Sequence, residues 1–189
     1  MPRRSVLLVG GAALAIIALA LLALFVFFPA GDATADAVVL HRVAKTADAG
    51  TATILLKQDW GKGQLVVVGY NRQAERKLGL AFVAHGTRGW RLGSYTEETT
   101  DKTDVVVGSL LVASSEGGAG QPAWAAAVGE LSDTRIARVE VTWSNGQSSV
   151  GTRVNNAYLV TEPGTTAARS ARYLAKDGTE IAKVPISSS

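Results

Sequence analysis

The stretch ILLKQDWGKGQLVVVGY, residues 54–70, sets the fold class of this chain. It contains two short runs rich in apolar and β-branched residues, at 54–56 and 65–68, and the sequence WGKG at 60–63 lies between them. Such runs on either side of a glycine-containing turn are typical of paired strands. This stretch therefore predicts a β-hairpin.

The β pattern extends on both sides of this hairpin. Apolar residues alternate along 78–84 and predict a third strand with one apolar face. A fourth strand is predicted from residue 90, after the turn sequence GTRG at 86–89. We interpret residues 51–96 as an antiparallel β-meander.

A polar and glycine-rich connector is predicted at 97–120, after which the β pattern resumes over 121–189. Apolar and polar residues alternate along 137–143, the pattern of a strand with one solvated face. The Asn-Gly pair at 145–146 favours a tight hairpin turn, because both residue types tolerate positive φ. This second antiparallel segment fits either one sandwich that shares a core with the meander, or a separate small β unit.

Upstream of these segments, residues 5–28 read SVLLVGGAALAIIALALLALFVFF without a single charge. As a helix, at about 1.5 Å per residue, this run would be about 36 Å long, enough to cross a hydrocarbon core of about 30 Å. It predicts a transmembrane anchor at 5–29. The predicted fold class is therefore mainly β, with an N-terminal transmembrane helix followed by an antiparallel β-meander and a β-sandwich-like domain.

The alternative to an anchor is a cleavable secretory signal. Arg3 and Arg4 precede the apolar run, and the sequences ATA at 33–35 and ADA at 35–37 both fit a signal-peptidase site. The run exceeds the apolar core of about 7–15 residues that is usual for a signal, which favours an uncleaved anchor. The two arginines predict that residues 1–4 stay in the cytoplasm. We therefore expect a single-pass protein of the cell membrane whose C-terminal domain lies outside.

A juxtamembrane spacer and a short helix are predicted at 30–50. Asp36 is the predicted N-cap of this helix, which should extend to Lys45. Its apolar side is predicted to consist of Val39, Leu40, Val43 and Ala44.

Composition excludes several classes of function. The net charge is +3 and no run of Lys or Arg past residue 36 forms a basic patch, so we expect no nucleic-acid partner. The chain has no cysteine, which removes disulfides, zinc-thiolate sites and thiol nucleophiles. His41 and His85 are the only histidines, and their spacing does not match a metal centre. We expect no metal and no cofactor.

The sequence also lacks a catalytic signature. It contains neither a nucleophile elbow nor a phosphate-binding loop. Its acidic cluster, Glu97, Glu98, Asp101 and Asp104, lies in the predicted connector, where we interpret it as solvated. We therefore expect a protein that is not an enzyme. The alternative is an enzyme acting on envelope glycan, with a carboxylate pair that only the folded chain would assemble.

Aromatic residues near the predicted turns are the candidate binding site. Trp60 and Trp90 both flank turns, and Tyr95 follows on the strand that Trp90 begins. Aromatic side chains stack on sugars and anchor protein partners, so we predict Trp60, Trp90 and Tyr95 as ligand-binding residues. The competing interpretation is that a sheet core of this size uses these rings for its own packing.

The order of segments resembles that of uncharacterised small membrane-anchored or secreted proteins of Gram-positive bacteria. An apolar anchor and a short helix precede four matching segments: ILLKQDW (54–60), LVVVGY (65–70), RGWRLGSY (88–95) and AVGELSDTRIARVEVTWSNGQ (127–147). The resemblance implies an extracytoplasmic β domain and assigns no catalytic or ligand residue.

Together these observations predict a membrane-anchored binding or accessory protein of the cell envelope. Its partners would be the membrane that holds it and either another envelope protein or the wall polymer. An accessory subunit of a membrane complex is a further alternative.

Overall fold

A computed structural model of the chain describes residues 31–100, 109–118 and 121–186. The predicted cytoplasmic residues 1–4 and the predicted anchor at 5–29 lie outside the described residues. Within the described part of the chain, no helix has the length and hydropathy needed to cross a membrane.

One short helix and a series of antiparallel strands make up the described residues, which confirms the predicted mainly β class. The helix α1 spans Ala35–Val43. The strands in chain order are β1 (Thr53–Trp60), β2 (Gly63–Arg72), β3 (Glu75–Gly86), β4 (Gly89–Thr99), β5 (Leu111–Ser115), β6 (Trp124–Glu130), β7 (Arg138–Trp143), β8 (Ser148–Thr152), β9 (Ala157–Pro163), β10 (Ala168–Leu174) and β11 (Glu180–Pro185).

The first four strands form one sheet in the order β1-β2-β3-β4. The alternation along 78–84 places Leu78, Leu80 and Phe82 in one apolar cluster, as the pattern predicts. The intervening Ala81 and Val83 are also buried, because they face α1 on the other side of the sheet. β3 is therefore covered on both faces.

The helix α1 begins earlier than the sequence pattern indicates. Its N-cap is Thr34, whose backbone is extended and whose Oγ1 accepts a hydrogen bond from the Ala37 amide at 3.1 Å. Asp36, the predicted cap, instead lies in the first turn, where its carboxylate accepts a hydrogen bond from Lys57 Nζ at 3.1 Å. The side of α1 that packs against the sheet consists of Ala35, Val38, Val39 and Val43. Leu40 and Ala44 are not among them.

The remaining strands form two smaller sheets, in the orders β11-β10-β7-β8 and β5-β6-β9. Parts of the predicted connector at 97–120 belong to strands, because β4 continues to Thr99 and β5 spans Leu111–Ser115. The polar end of β4 remains a strand since its side chains have partners across the sheet. The Glu97 carboxylate, for example, accepts a hydrogen bond from Arg72 Nη1 at 2.6 Å.

One apolar cluster joins the two β segments. It combines Leu65 and Leu80 of the first sheet with Leu111, Trp124 and Leu159 of the three-stranded sheet. The central strand β6 alternates between two clusters, because Ala126 and Val128 face this one whereas Ala125 and Ala127 face a second cluster beneath β7 and β10. The described residues of the two segments therefore pack around a common core.

A paired charge bridges the same boundary. Arg76 of β3 binds the Glu130 carboxylate at the end of β6 through Nε at 3.1 Å and Nη2 at 2.5 Å. A guanidinium and a carboxylate in this two-bond geometry hold each other in a defined orientation. The pair therefore fixes how the end of β6 sits against the first sheet.

Candidate functional site

The predicted aromatic site is divided between the two faces of the first sheet. Trp60 packs in the cluster between the first sheet and the three-stranded sheet, and its indole Nε1 donates to the Pro122 carbonyl at 3.3 Å. Trp90 and Tyr95 pack on the opposite face, in the cluster beneath α1. The structure brings Trp90 and Tyr95 to one face and places Trp60 on the other.

Strand register explains this division. Residues directly opposite each other across a sheet point to the same face. Trp60 stands opposite Gly63, which stands opposite Ala84, whereas Trp90 stands opposite the next residue, His85. Because successive side chains on a strand point to opposite faces, Trp60 and Trp90 cannot share one surface.

Both aromatic residues on the helix side have intramolecular partners. The Trp90 ring meets His85 edge to face, with ring centroids 4.9 Å apart. The Arg42 guanidinium lies 5.0 Å from the centre of the Tyr95 ring, and the Tyr95 hydroxyl donates to the Tyr70 hydroxyl at 3.1 Å. These rings therefore serve the packing of α1 against the sheet.

A polar cluster lies beside them, around the Glu97 carboxylate. This carboxylate accepts hydrogen bonds from the Tyr70 hydroxyl and from Arg72. Burial acts to raise the pKa of Glu97, but the bonds from Tyr70, Tyr95 and Arg72 outweigh it, so the pKa lies below its ordinary value. Burial, followed by the bond to Glu97, raises the pKa of Tyr70. The Glu97 carboxylate is therefore held in place by hydrogen bonds from the side chains around it.

Of the acidic cluster singled out in the sequence, only Glu97 and Glu98 lie among the described residues. Glu97 and Glu98 are consecutive residues of β4 and so point to opposite faces, and Asp101 and Asp104 lie outside the described residues. His41 Nδ1 lies 3.0 Å from Asp32 Oδ1. Among the described residues, no group of three or more His, Asp or Glu side chains is close enough to hold a metal ion.

A cleft of about 220 Å³ lies where β4 of the first sheet approaches β5 and the start of β6. Its lining residues come from the first sheet and from β5, β6 and the segment between them. They are Phe82, Ala84, Gly93, Ser94, Ser115, Gly117, Gly118, Gln121 and Trp124. Two aromatic rings, Phe82 and Trp124, form its apolar walls and are 8% and 3% exposed. The cleft is thus mostly an apolar recess with aromatic walls.

Gly93 keeps the recess open on the β4 side. A Cβ atom at this position would lie 2.8 Å from Phe82 Cδ1, closer than real Cβ contacts allow. Any side chain here would therefore press against the Phe82 ring and narrow the cleft. A glycine inside a strand often marks such a close approach.

The polar groups of the cleft are two serine hydroxyls and one amide. Ser94 comes from β4, Ser115 from β5, and Gln121 from the segment before β6. The β1–β2 turn holds Gln121 in place, because the Lys62 amide donates to Gln121 Oε1 at 3.0 Å. Ser115 Oγ accepts from the Gly117 amide at 3.3 Å. None of the residues that line this described cleft carries a charge, so the site suits a neutral ligand.

These features define an antiparallel β protein in which three sheets pack together, with α1 against the first sheet and an uncharged cleft between the first sheet and the three-stranded sheet. In comparisons with known proteins, no family model, curated protein or solved structure matched the chain.

Sequence reasoning missed every residue of this cleft. One local signal was present, because Gly93 interrupts a predicted strand and so marks a close approach. The other lining residues are up to about forty positions apart in sequence and are brought together when the first sheet packs against the three-stranded sheet.

Proposed function

We propose that the chain is a single-pass membrane protein whose β domain lies outside the cytoplasm and binds a neutral component of the cell envelope. The observation that carries this proposal is the uncharged cleft between Phe82 and Trp124. Residues 5–29 serve as the anchor and residues 1–4 stay in the cytoplasm. The choice of an envelope partner follows from the resemblance of the segment order to that of small membrane-anchored proteins of Gram-positive bacteria.

The dimensions and chemistry of the cleft favour one unit of a wall polymer, such as a single sugar ring. Drug-sized ligands occupy pockets of about 300–1,000 Å³, and this cleft of about 220 Å³ is smaller. A sugar ring presents an apolar face to an aromatic wall and hydroxyls to groups such as Ser94, Ser115 and Gln121. In such a site the aromatic walls contribute affinity for the ligand, and the few polar groups fix the orientation of the ligand.

The folded structure also supports an uncleaved anchor. Cleavage after ATA at 33–35 would remove both Thr34, the N-cap of α1, and the buried Ala35, and cleavage after ADA at 35–37 would also remove Asp36, which pairs with Lys57. Asp32 pairs with Trp90 of β4 through two backbone hydrogen bonds of 3.0 and 2.9 Å. Residues 31–37 are therefore part of the fold.

Binding to the wall polymer tests the cleft. We expect Ser94→Tyr to fill the recess with a ring and to weaken binding of the detergent-solubilised full chain to purified wall fragments by at least about tenfold, or about 1.4 kcal/mol. The matched control is Ser114→Tyr, because Ser114 is an exposed serine on the neighbouring strand β5 and does not line the cleft.

Two results would contradict the binding proposal. Unchanged binding by the Ser94→Tyr chain would place the ligand elsewhere, and an equal loss with Ser114→Tyr would indicate a general effect on the domain. Sedimentation of each variant with the wall fragments measures both.

Protease treatment of sealed cells tests the placement. We expect the β domain to be digested from outside while a cytoplasmic control protein survives. A β domain that resists digestion while a known surface protein is degraded would overturn the proposed orientation.

A further inference from the structure

We propose that one end of the β domain rests on the membrane and contacts anionic lipid headgroups. This surface, the headgroup-facing end, consists of the β1–β2 turn at 61–62 and the β3–β4 turn at 86–91. The inference rests on the proposed anchor and adds the orientation and lipid contacts of the domain.

The chain enters the fold at this end. The Gly31 amide donates to the Arg88 carbonyl at 2.7 Å, and Asp32 pairs with Trp90 as a short antiparallel bridge. The approach requires glycine at residue 31, since a Cβ atom there would lie 2.4 Å from the Trp90 carbonyl oxygen. The first described residue is therefore held against the β3–β4 turn.

Covalent geometry limits how far this turn can lie from the bilayer. The apolar run ends at Phe28, three residues before Gly31. Three residues span at most about 11 Å when fully extended. The headgroup layer on each side of a bilayer is about 5–8 Å thick. The β3–β4 turn therefore lies in or next to the headgroups, whatever conformation residues 29–30 adopt.

The residues at this end match the chemistry of that layer. Lys62, Arg88 and Arg91 supply positive charge, and anionic lipids attract basic residues close to the membrane. Trp90 lies between the two arginines in sequence and is only half-buried beneath α1, and tryptophan is enriched at membrane interfaces. The His85 amide donates to the Lys62 carbonyl at 3.1 Å, so the two turns lie side by side.

The carboxylates at this end have partners of their own. Asp32 lies beside His41, with Nδ1 and Oδ1 3.0 Å apart, and Asp59 Oδ1 accepts from Gln64 Nε2 at 2.9 Å. With three basic side chains and two carboxylates, this end has a net positive charge, which favours an anionic bilayer as its partner.

The absence of native cysteine permits a clean labelling test. The full chain carries one introduced cysteine, either Thr87→Cys in the β3–β4 turn or Gln73→Cys in the β2–β3 turn. Both positions are exposed, and the twelve residues of β3 separate the two turns. At about 3.4 Å per residue, this separation approaches 40 Å. Each chain is labelled with a fluorophore and reconstituted into phosphatidylcholine vesicles that contain phosphatidylglycerol and a headgroup-linked quencher.

We expect strong quenching of the Thr87→Cys label and at least about threefold weaker quenching of the Gln73→Cys label. Replacing Lys62 and Arg91 together by glutamine should reduce the quenching at residue 87, as should vesicles of phosphatidylcholine alone. Lys176→Gln is the matched control, because Lys176 is exposed in the β10–β11 turn, outside this end. Circular dichroism checks that each variant is folded.

The outcomes separate the inference from the proposed function. A chain that floats with the vesicles but shows equal quenching at residues 73 and 87 overturns the headgroup-facing end and leaves the anchor intact. Quenching at residue 87 that is insensitive to phosphatidylglycerol overturns the role of anionic lipid. A chain that does not float with the vesicles overturns the anchor and this inference together.

Discussion

At the scale of single residues, Thr34 shows how one side chain sets the start of an element. Its Oγ1 satisfies the Ala37 amide, and this contact starts α1 before Asp36. An N-cap threonine replaced by alanine costs about 1 kcal/mol. We expect Thr34→Ala to lower the free energy of unfolding by that amount in urea titrations. Thr87→Ala, an exposed threonine in a turn, should change it by less than about 0.5 kcal/mol.

A larger loss in the free energy of unfolding for Thr87→Ala than for Thr34→Ala would contradict the assignment of Thr34 as the N-cap. It would show that the Thr34 hydroxyl contributes nothing that water cannot replace.

Glu97 makes a prediction about acid stability. Its folded pKa lies below the ordinary value, because its hydrogen bonds outweigh burial. The stability that this carboxylate contributes is therefore present above its unfolded pKa, about 4.3, and is lost as the pH falls through the folded pKa. We expect Glu97→Gln to cost about 1–2 kcal/mol at pH 7, and the difference from the unsubstituted chain to shrink as the pH falls below about 4.

Urea unfolding at pH 7 and at acid pH measures this difference. Glu98→Gln is the matched control, since Glu98 is the adjacent exposed residue on the other face of β4. A Glu97→Gln deficit that stayed constant with pH would show that the ionised form of Glu97 is not what stabilises the fold.

At the scale of elements, β4 contributes to both faces of the first sheet. Ser94 lines the cleft on one face, while its neighbour Tyr95 packs beneath α1 on the other. The strand also carries Trp90 at the proposed headgroup-facing end. Because side chains alternate along a strand, one edge strand can serve binding, packing and membrane contact at separate positions.

The packing of β6 against the first sheet depends in part on the Arg76–Glu130 pair. Lysine would keep the charge of Arg76 but would lose the two-bond geometry. We expect Arg76→Lys to lower the free energy of unfolding by about 1 kcal/mol. Arg135→Lys should have almost no effect, because Arg135 is 73% exposed and forms an exposed ion pair with Asp133, two residues away in sequence.

Thermal and urea denaturation of these two lysine variants provide the comparison. Equal losses in the free energy of unfolding for Arg76→Lys and Arg135→Lys would show that the Arg76–Glu130 pair contributes no more stability than an exposed ion pair.

At the scale of the whole molecule, the position of chain entry relates the cleft to the proposed anchor. Ser94 follows Trp90 by four residues on β4, a distance of about 14 Å along the strand. With Trp90 at the headgroups, the cleft would open near the bilayer surface. The ligand would then be a portion of envelope polymer that lies close to the membrane.

Integration of residues 31–37 into the fold predicts that the mature protein keeps its N-terminal segment. We expect intact-mass measurement of protein extracted from membranes to show a chain that retains residues 31–37. A product beginning at Asp36 or Val38 would contradict the anchor and would lack the Thr34 cap. Heat stability of that product should then be lower than that of the uncleaved chain.

Local sequence patterns were sufficient to predict the strands of the first sheet, the turns at 60–63 and 86–89 and the presence of a short helix. These features depend on neighbouring residues, through the alternation of apolar side chains and the turn preference of glycine and asparagine. The same local rules misplaced the helix cap by two residues, since Thr34 and Asp36 are both acceptable caps and only packing against the sheet distinguishes them.

Long-range packing determines which distant strands pair, where the cleft lies and which aromatic rings share a face. The pairing of β6 with β9 and of β7 with β10 joins segments separated by other strands. Phe82 and Trp124 meet only because those pairings bring the three-stranded sheet against the first sheet. Contacts of this kind arise from closing long loops around a shared core, and no short stretch of sequence specifies that process.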